Sequence, residues 1–177
     1  GILCGDSSLH FPDFRASERT FQTLVQVSGR TGRDSESGSV LLQTFDPEHY
    51  AIQMAANHDY ESFFEKDSAI RAELAYPPYG YLILIKVEGT HSRKVEDKAI
   101  QIGRDCRRLK ISEEPVTILG PAPAPRKKAL GKHRWQIVLK SQNRAFVRNL
   151  ARKLREEELL KAHGMTISLD VDPINLV

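Results

Sequence analysis

Apolar and polar positions along this chain change their rhythm at Pro77-Pro78. Before the prolines, Phe21, Leu24, Val25 and Ser28 recur at helical spacing, which predicts a helix from Ser17 to about Ser28 with Ser17 as N-cap. Gly1-Ile2-Leu3-Cys4 reads as the tail of a buried parallel strand, so the chain is expected to be a piece of a longer protein. Ser39 to Thr44 reads as a second strand. Strand, helix, strand makes a right-handed crossover, a piece of an α/β lobe. Asp46-Pro47-Glu48 has the order of an N-cap, a proline at N1 and an acidic first turn, which predicts a short helix to about Ala56. A further helix is expected from Asp59 to Leu74, packing through Tyr60, Phe63, Phe64, Ile70 and Leu74, with Asp67 and Arg71 paired one turn apart. The two prolines end it and mark a domain boundary.

Beyond them the pattern predicts strands at Tyr81–Val87, Val116–Leu119, His133–Lys140 and Met165–Val171. Helices fall at His91–Leu109 and from Arg144 to about Lys161, the second stopped by His163-Gly164. The order β-α-β-β-α-β fits a ferredoxin-like sandwich, two helices on one face of a four-stranded sheet. Pro121 to Pro125 should be stiff and extended. The fold class is therefore α/β.

Composition narrows the classes. With 40% hydrophobic and 28% charged residues, the 177-residue chain has room for one ordinary core or two small ones. No run of about 18 apolar residues and no leader segment is present, so a cytoplasmic protein without membrane contact is expected. Cys4 and Cys106 form no Cys/His cluster, and Cys106 falls on the apolar face of Val95, Ala99, Ile102 and Leu109, where it should be a buried thiol. No metal site is expected.

Net charge is only +3, yet between Glu114 and Glu156 there is no acidic residue, while that interval carries the cations Arg126, Lys127, Lys128, Lys132, Arg134, Lys140, Arg144, Arg148, Arg152, Lys153 and Arg155. Such a block repels itself unless solvent or a polyanion accepts it. Arg144, Arg148, Arg152 and Arg155 are spaced four, four and three apart and stack in one stripe on a helix. Arg126-Lys127-Lys128 and Lys132-His133-Arg134 flank Ala129-Leu130-Gly131 at the expected tip of a hairpin, a geometry suited to phosphates. Both sets are candidate DNA contacts, with a solvated cationic face as the alternative. Arg144 stands at the helix start, where free N–H groups favour an anion, and is the candidate contact for an acidic partner. Trp135 shares parity with Ile137 and Leu139 and is expected in the core, while His133, Asp170 and Asp172 form no recognisable set.

The stretch Gln26-Val27-Ser28-Gly29-Arg30-Thr31-Gly32-Arg33 can aim two guanidinium forks and an amide at one polyanion, or it can be a helix ending in a Gly-containing loop with surface arginines. It resembles the Q-x-x-G-R-x-x-R motif of superfamily-2 helicases. With Pro12-Asp13-Phe14-Arg15-Ala16, Glu18-Arg19, Gln22, Leu42-Gln43-Thr44, Pro77-Pro78 and Leu169 to Pro173, nearly the whole chain resembles the C-terminal part of the primosomal protein N′ (PriA) replication-restart helicases.

That resemblance implies a C-terminal piece of a RecA-like motor lobe (residues 1–57), a connecting helix and Pro-Pro boundary (58–77) and a DNA-binding domain (78–177). It implies that Gln26, Arg30 and Arg33 face ATP held with Mg²⁺ on the other lobe, Arg33 as arginine finger, with Gly29 and Gly32 letting backbone approach the nucleotide. Zinc belongs to the full-length protein outside this stretch. Branched and single-stranded DNA, single-stranded-DNA-binding protein and other primosome proteins are the implied partners. No Walker A or B motif is present, since Gly131-Lys132 is followed by His133, so the chain alone should not hydrolyse ATP. A non-enzymatic nucleic-acid-binding module of ribosomal-protein type and another superfamily-2 translocase are the competing readings.

Overall fold

A computed structural model describes residues 9–29, 40–110, 113, 115–129 and 131–176, with backbone alone for 126–129. The expected strand at Gly1–Cys4 and the residues Arg30 to Arg33 lie outside the described residues. The chain divides into two compact units, Gly1–Arg71 and Ala72–Val177.

Three helices make up the described part of the first unit: α1 (Ala16–Ser28), α2 (Tyr50–Ala56) and α3 (Tyr60–Glu73), whose end belongs to the second unit. Phe21 and Leu24 of α1, Ala51, Ile52 and Ala55 of α2 and Phe63 of α3 form its core, and the rings of Phe21 and Phe63 stack at 4.1 Å. Several starts and ends differ from the sequence reading, each for a local reason. Helix α1 begins one residue before Ser17, because the Asp13 carboxylate accepts the Arg15 N–H at 3.0 Å and closes the turn ahead of it. Asp46 does not cap α2. Its carbonyl instead accepts the His49 N–H in a β-turn with Pro47 at the second position, and the His49 side chain caps the helix at Ala51 N.

Residues 40–44 form no strand, only a single bridge at Leu42, and Leu41 is 81% exposed. Leu42 nevertheless packs against the core of this unit, and the other strand of the expected crossover lies outside the described residues. The packing seam of α3 is also narrower than expected. Phe63 and Asp67 are buried, whereas Tyr60 and Phe64 are more than half exposed.

The second unit follows the predicted order: β1 (Tyr81–Gly89), α4 (Ser92–Leu109), β2 (Thr117–Ala129), β3 (Lys132–Ser141), α5 (Arg144–Glu156) and β4 (Met165–Val171). The sheet runs β2-β3-β1-β4 with every pair antiparallel, which is the split β-α-β arrangement. Ile83, Ile85 and Val87 of β1 and Ile137 and Leu139 of β3 meet Val95, Ala99, Ile102 and Cys106 of α4 and Val147, Leu150 and Leu154 of α5 in one core. Trp135 packs against it, and burial pushes the Cys106 thiol up to about 12, an inert group.

Strand β2 is longer than expected. It runs alongside β3 beyond Pro121 by bulging, with Ala122 and Pro123 paired to Gln136 and Trp135 and residues 124–127 standing against Arg134. Gly120 makes the first bulge possible: its φ is +89°, and a Cβ there would lie 2.9 Å from the Gln136 carbonyl. Arg107 of α4 then donates to the Gly120 carbonyl at 2.7 Å, fixing the irregular stretch to a helix. The hairpin is expected at Ala129-Leu130-Gly131 and falls there, with Ala129 paired to Lys132. Helix α5 stops at Glu156 instead of near Lys161, because Glu158 takes a positive φ of 55° and the N–H groups of Glu158 and Leu159 close back on Arg155 and Leu154.

Residues 72–177 are expected to fold alone, with a single unfolding transition, and Leu139→Ala within them to lose about 2–5 kcal/mol. Denaturant titration of that segment checks both; a segment without a cooperative transition would contradict the division.

Candidate functional site

Helix α1 carries the first candidate site at its C-terminal end. Gln26 is exposed there, and Gly29 continues the helical backbone at φ −66°, ψ −14°, with its N–H on the Val25 carbonyl. Gly29 thus uses no left-handed freedom, and its place in the helix leaves Gln26 one turn from the end. Arg30, Gly32 and Arg33 lie outside the described residues.

The other end of α1 is held by charge. Arg15 donates to both Glu18 oxygens at 3.1 Å, and Arg71 of α3 donates to Glu18 at 2.9 Å. The Arg71 Nε lies 2.7 Å from the Asp67 carboxylate, an ion pair without hydrogen-bond alignment, and Tyr50 of α2 donates to the other Asp67 oxygen at 2.9 Å. The Ser17 hydroxyl also bonds Tyr50. Burial first, then Asp67, raises the Tyr50 hydroxyl to about 12, so it stays a donor. The hydrogen bond from Arg15 holds the Glu18 carboxyl below its ordinary value against partial burial, with Arg71 adding to it. The sequence revealed only the Asp67–Arg71 part of this cluster. Glu18 and Tyr50 lie 53 and 17 residues from their partners, and no local spacing marks such pairs.

The second candidate site is the cationic face of α5. Asn143 caps the helix, its side chain accepting the Ala145 N–H at 2.9 Å, and Val147, Leu150 and Leu154 turn inward. That leaves Arg144, Arg148, Arg152 and Arg155 all exposed, as the spacing required. Their partners differ. Arg144 pairs with Asp172 at 2.9 Å and lies over the Tyr81 ring, and Arg152 reaches Glu156 at 3.3 Å. Arg148 and Arg155 make no ion pair among the described residues. With Arg152 they wall a groove of ≈ 540 Å³ whose other lining includes Ile83, Leu169 and Val171. The groove was not foreseen, although the alternation of Met165, Ile167, Leu169 and Val171 on a terminal strand was its available signal.

At the hairpin, Lys132 is exposed, and Arg134 is bound to Glu88 across the strands at 2.6 Å. The side chains of Arg126, Lys127 and Lys128 lie outside the described part. Among the described residues no group of three or more His, Cys, Asp or Glu could hold a metal ion, and no helix is long and apolar enough to cross a membrane.

The class defined by this fold is an α/β domain of split β-α-β topology with a cationic helix face, preceded by a small helical unit. The family model for the primosomal protein N C-terminal domain matches residues 72–174. Replication restart protein PriA of Bacillus subtilis (strain 168) is 40% identical over 98% of this chain and 22% of its own length. The protein of that name from Synechocystis is 39% identical over 99% and 21%, and that from Haemophilus influenzae 35% over 97% and 23%. The chain belongs to the primosomal protein N (PriA) family. It spans about a fifth of the length of these relatives.

Glu18 gives this geometry a pH signature. Its folded pKa is lowered, so its stabilisation is complete above the unfolded carboxylate value of about 4.3 and is lost as pH falls through the folded value. Glu18→Gln should therefore lower the unfolding midpoint of the chain at pH 7, with the difference from the parent closing between about pH 5 and 3. Thermal unfolding across that range measures it, and a gap independent of pH would contradict the assignment.

Proposed function

We propose that this chain is the C-terminal part of an ATP-dependent DNA helicase that restarts replication at stalled or branched forks and begins primosome assembly. The observation that carries the reading is that the relatives named for replication restart match through both units, including the Gln26 to Arg33 stretch that precedes the matched family domain. In this reading residues 1–57 belong to the second, RecA-like motor lobe, 58–77 connect, and 78–177 bind DNA. A non-enzymatic module of ribosomal-protein type is not favoured, because such a module has no use for that stretch.

Phosphoryl transfer spreads negative charge over three equatorial oxygens, and paired guanidiniums stabilise it. Arg33 serves as the finger, Arg30 as its partner, and Gln26 orients the attacking water or nucleotide, with Gly29 and Gly32 keeping the approach clear. ATP and Mg²⁺ are held by the other lobe, and zinc by a part of the full-length protein outside this stretch. Arg148, Arg152 and Arg155, with Arg126, Lys127, Lys128, Lys132 and Arg134 at the hairpin, contact branched and single-stranded DNA through phosphates. Arg144, at the start of α5, takes a carboxylate of an acidic partner tail such as that of single-stranded-DNA-binding protein. The pairing with Asp172 supports this role, because a carboxylate already sits on that guanidinium and a partner's can replace it.

In the complete protein Arg33→Ala is expected to lower DNA-stimulated ATP turnover ~10³-fold or more with DNA affinity nearly unchanged, while the 177-residue chain alone shows no turnover. Steady-state ATPase assays decide this: near wild-type turnover in the variant, or hydrolysis by the chain alone, contradicts the reading. Arg144→Ala is expected to lower affinity for an acidic peptide about tenfold or more, the loss of a charge-assisted hydrogen bond, and to leave DNA affinity unchanged. Equal loss for both ligands, in paired titrations, would contradict the division of roles.

A further inference from the structure

The charge cluster at the start of α1 is larger than the small core beside it needs. Tying Arg71, Glu18, Asp67 and Tyr50 together joins all three helices of the first unit. Its charged members are largely removed from water: Arg71, Asp67 and Glu18 retain 13%, 12% and 23% of their side-chain exposure. Desolving such groups is costly, and a well-packed apolar set of the same volume is often as stable. What a clasp of this kind supplies is direction. Apolar contacts between Phe21, Leu24 and Ile52 allow a helix to roll and slide, whereas a guanidinium hydrogen-bonded to Glu18 and ion-paired with Asp67 restrains α1 against α3.

We infer that the Arg71–Glu18–Asp67–Tyr50 clasp is a positioning device that sets the orientation of α1, and with it Gln26, for phosphoryl transfer. This rests on the reading of the Gln26 to Arg33 stretch given under the proposed function. Glu18 and Gln26 stand on one rigid helix, roughly 12 Å apart along the axis, so a tilt of ~5° about Glu18 moves Gln26 by ~1 Å. A displacement of that size is enough to cost about a hundredfold in rate when a catalytic group must meet a transition state. Arg71 is also the last residue of the first unit, which puts the clasp on the covalent path into the second. The clasp is assigned no contact with nucleotide and acts through α1.

The test uses the complete protein with single-stranded DNA and ATP. Glu18→Gln and Arg71→Gln are each expected to reduce kcat ~10- to 100-fold while KM for ATP and the DNA Kd stay within about threefold, and the double variant to be no slower than the slower single. A loss confined to KM, an unchanged kcat, or additive losses in the double variant would overturn the inference. Tyr50→Phe keeps the ring on Phe63 and removes the hydroxyl that joins it to Asp67 and Ser17. Should Arg71→Gln fail to fold, Tyr50→Phe decides alone: a severalfold lower kcat supports the clasp, and an unchanged kcat overturns it. Arg33→Ala runs beside these variants. Full turnover in Arg33→Ala overturns the reading of the stretch itself, whereas lost turnover there with full turnover in Arg71→Gln and Glu18→Gln overturns the clasp alone.

Discussion

Everything in the second unit depends on burying both faces of β1. Leu82, Ile83, Leu84, Ile85 and Val87 are all essentially inaccessible, so each parity of the strand must be covered. One parity meets α4 and α5. The antiparallel neighbours β3 and β4 then satisfy the backbone groups of β1 on either side. A strand in this position cannot slip by one residue without exchanging its two apolar sets, which fixes the register of the whole sheet. The helices follow, since α5 can offer its apolar side to β1 only by turning Arg148, Arg152 and Arg155 outward.

Charge is organised by the same packing. The acid-free interval of the sequence is not acid-free in space, because Glu88 reaches Arg134 and Asp172 reaches Arg144 from strands or turns outside it. Lys140 is taken up by the Leu74 carbonyl and the Tyr76 ring. Self-repulsion is thereby relieved at the edges of the block and left in the middle of α5, along one wall of an apolar-floored groove. A cationic wall beside apolar surface suits a polyanion or an acidic apolar segment better than it suits solvent alone.

How legible this was in the sequence depends on the range of the interactions. The second unit was readable almost strand by strand, because period-two and helical patterns are local and the parity of Trp135, Ile137 and Leu139 survives folding. Cap positions at Ser17 and Asp46 misled, since a serine or aspartate before a helix has competing turns available, and Asp13 and Pro47 took them. Residues 40–44 keep the alternating burial their β character predicts but show only the bridge at Leu42, since pairing is a property of neighbours as well as of propensity. The clasp around Glu18 and the groove along α5 were out of reach, being made of residues far apart in the chain. Motif resemblance, by contrast, singled out the Gln26 to Arg33 stretch as a candidate, of which Arg30 to Arg33 lie outside the described residues.

The central claim is that the outward face of α5 is a phosphate-binding surface, and salt dependence tests it most directly. Forked DNA is titrated with residues 72–177, unaltered and with Arg148→Ala, Arg152→Ala and Arg155→Ala combined, over a range of salt concentrations. The account predicts weak, sequence-independent binding whose logarithmic salt slope falls by about 0.7 to 0.9 for each phosphate contact removed. An unchanged slope and affinity in the triple variant would contradict it and leave the stripe as a solvated face.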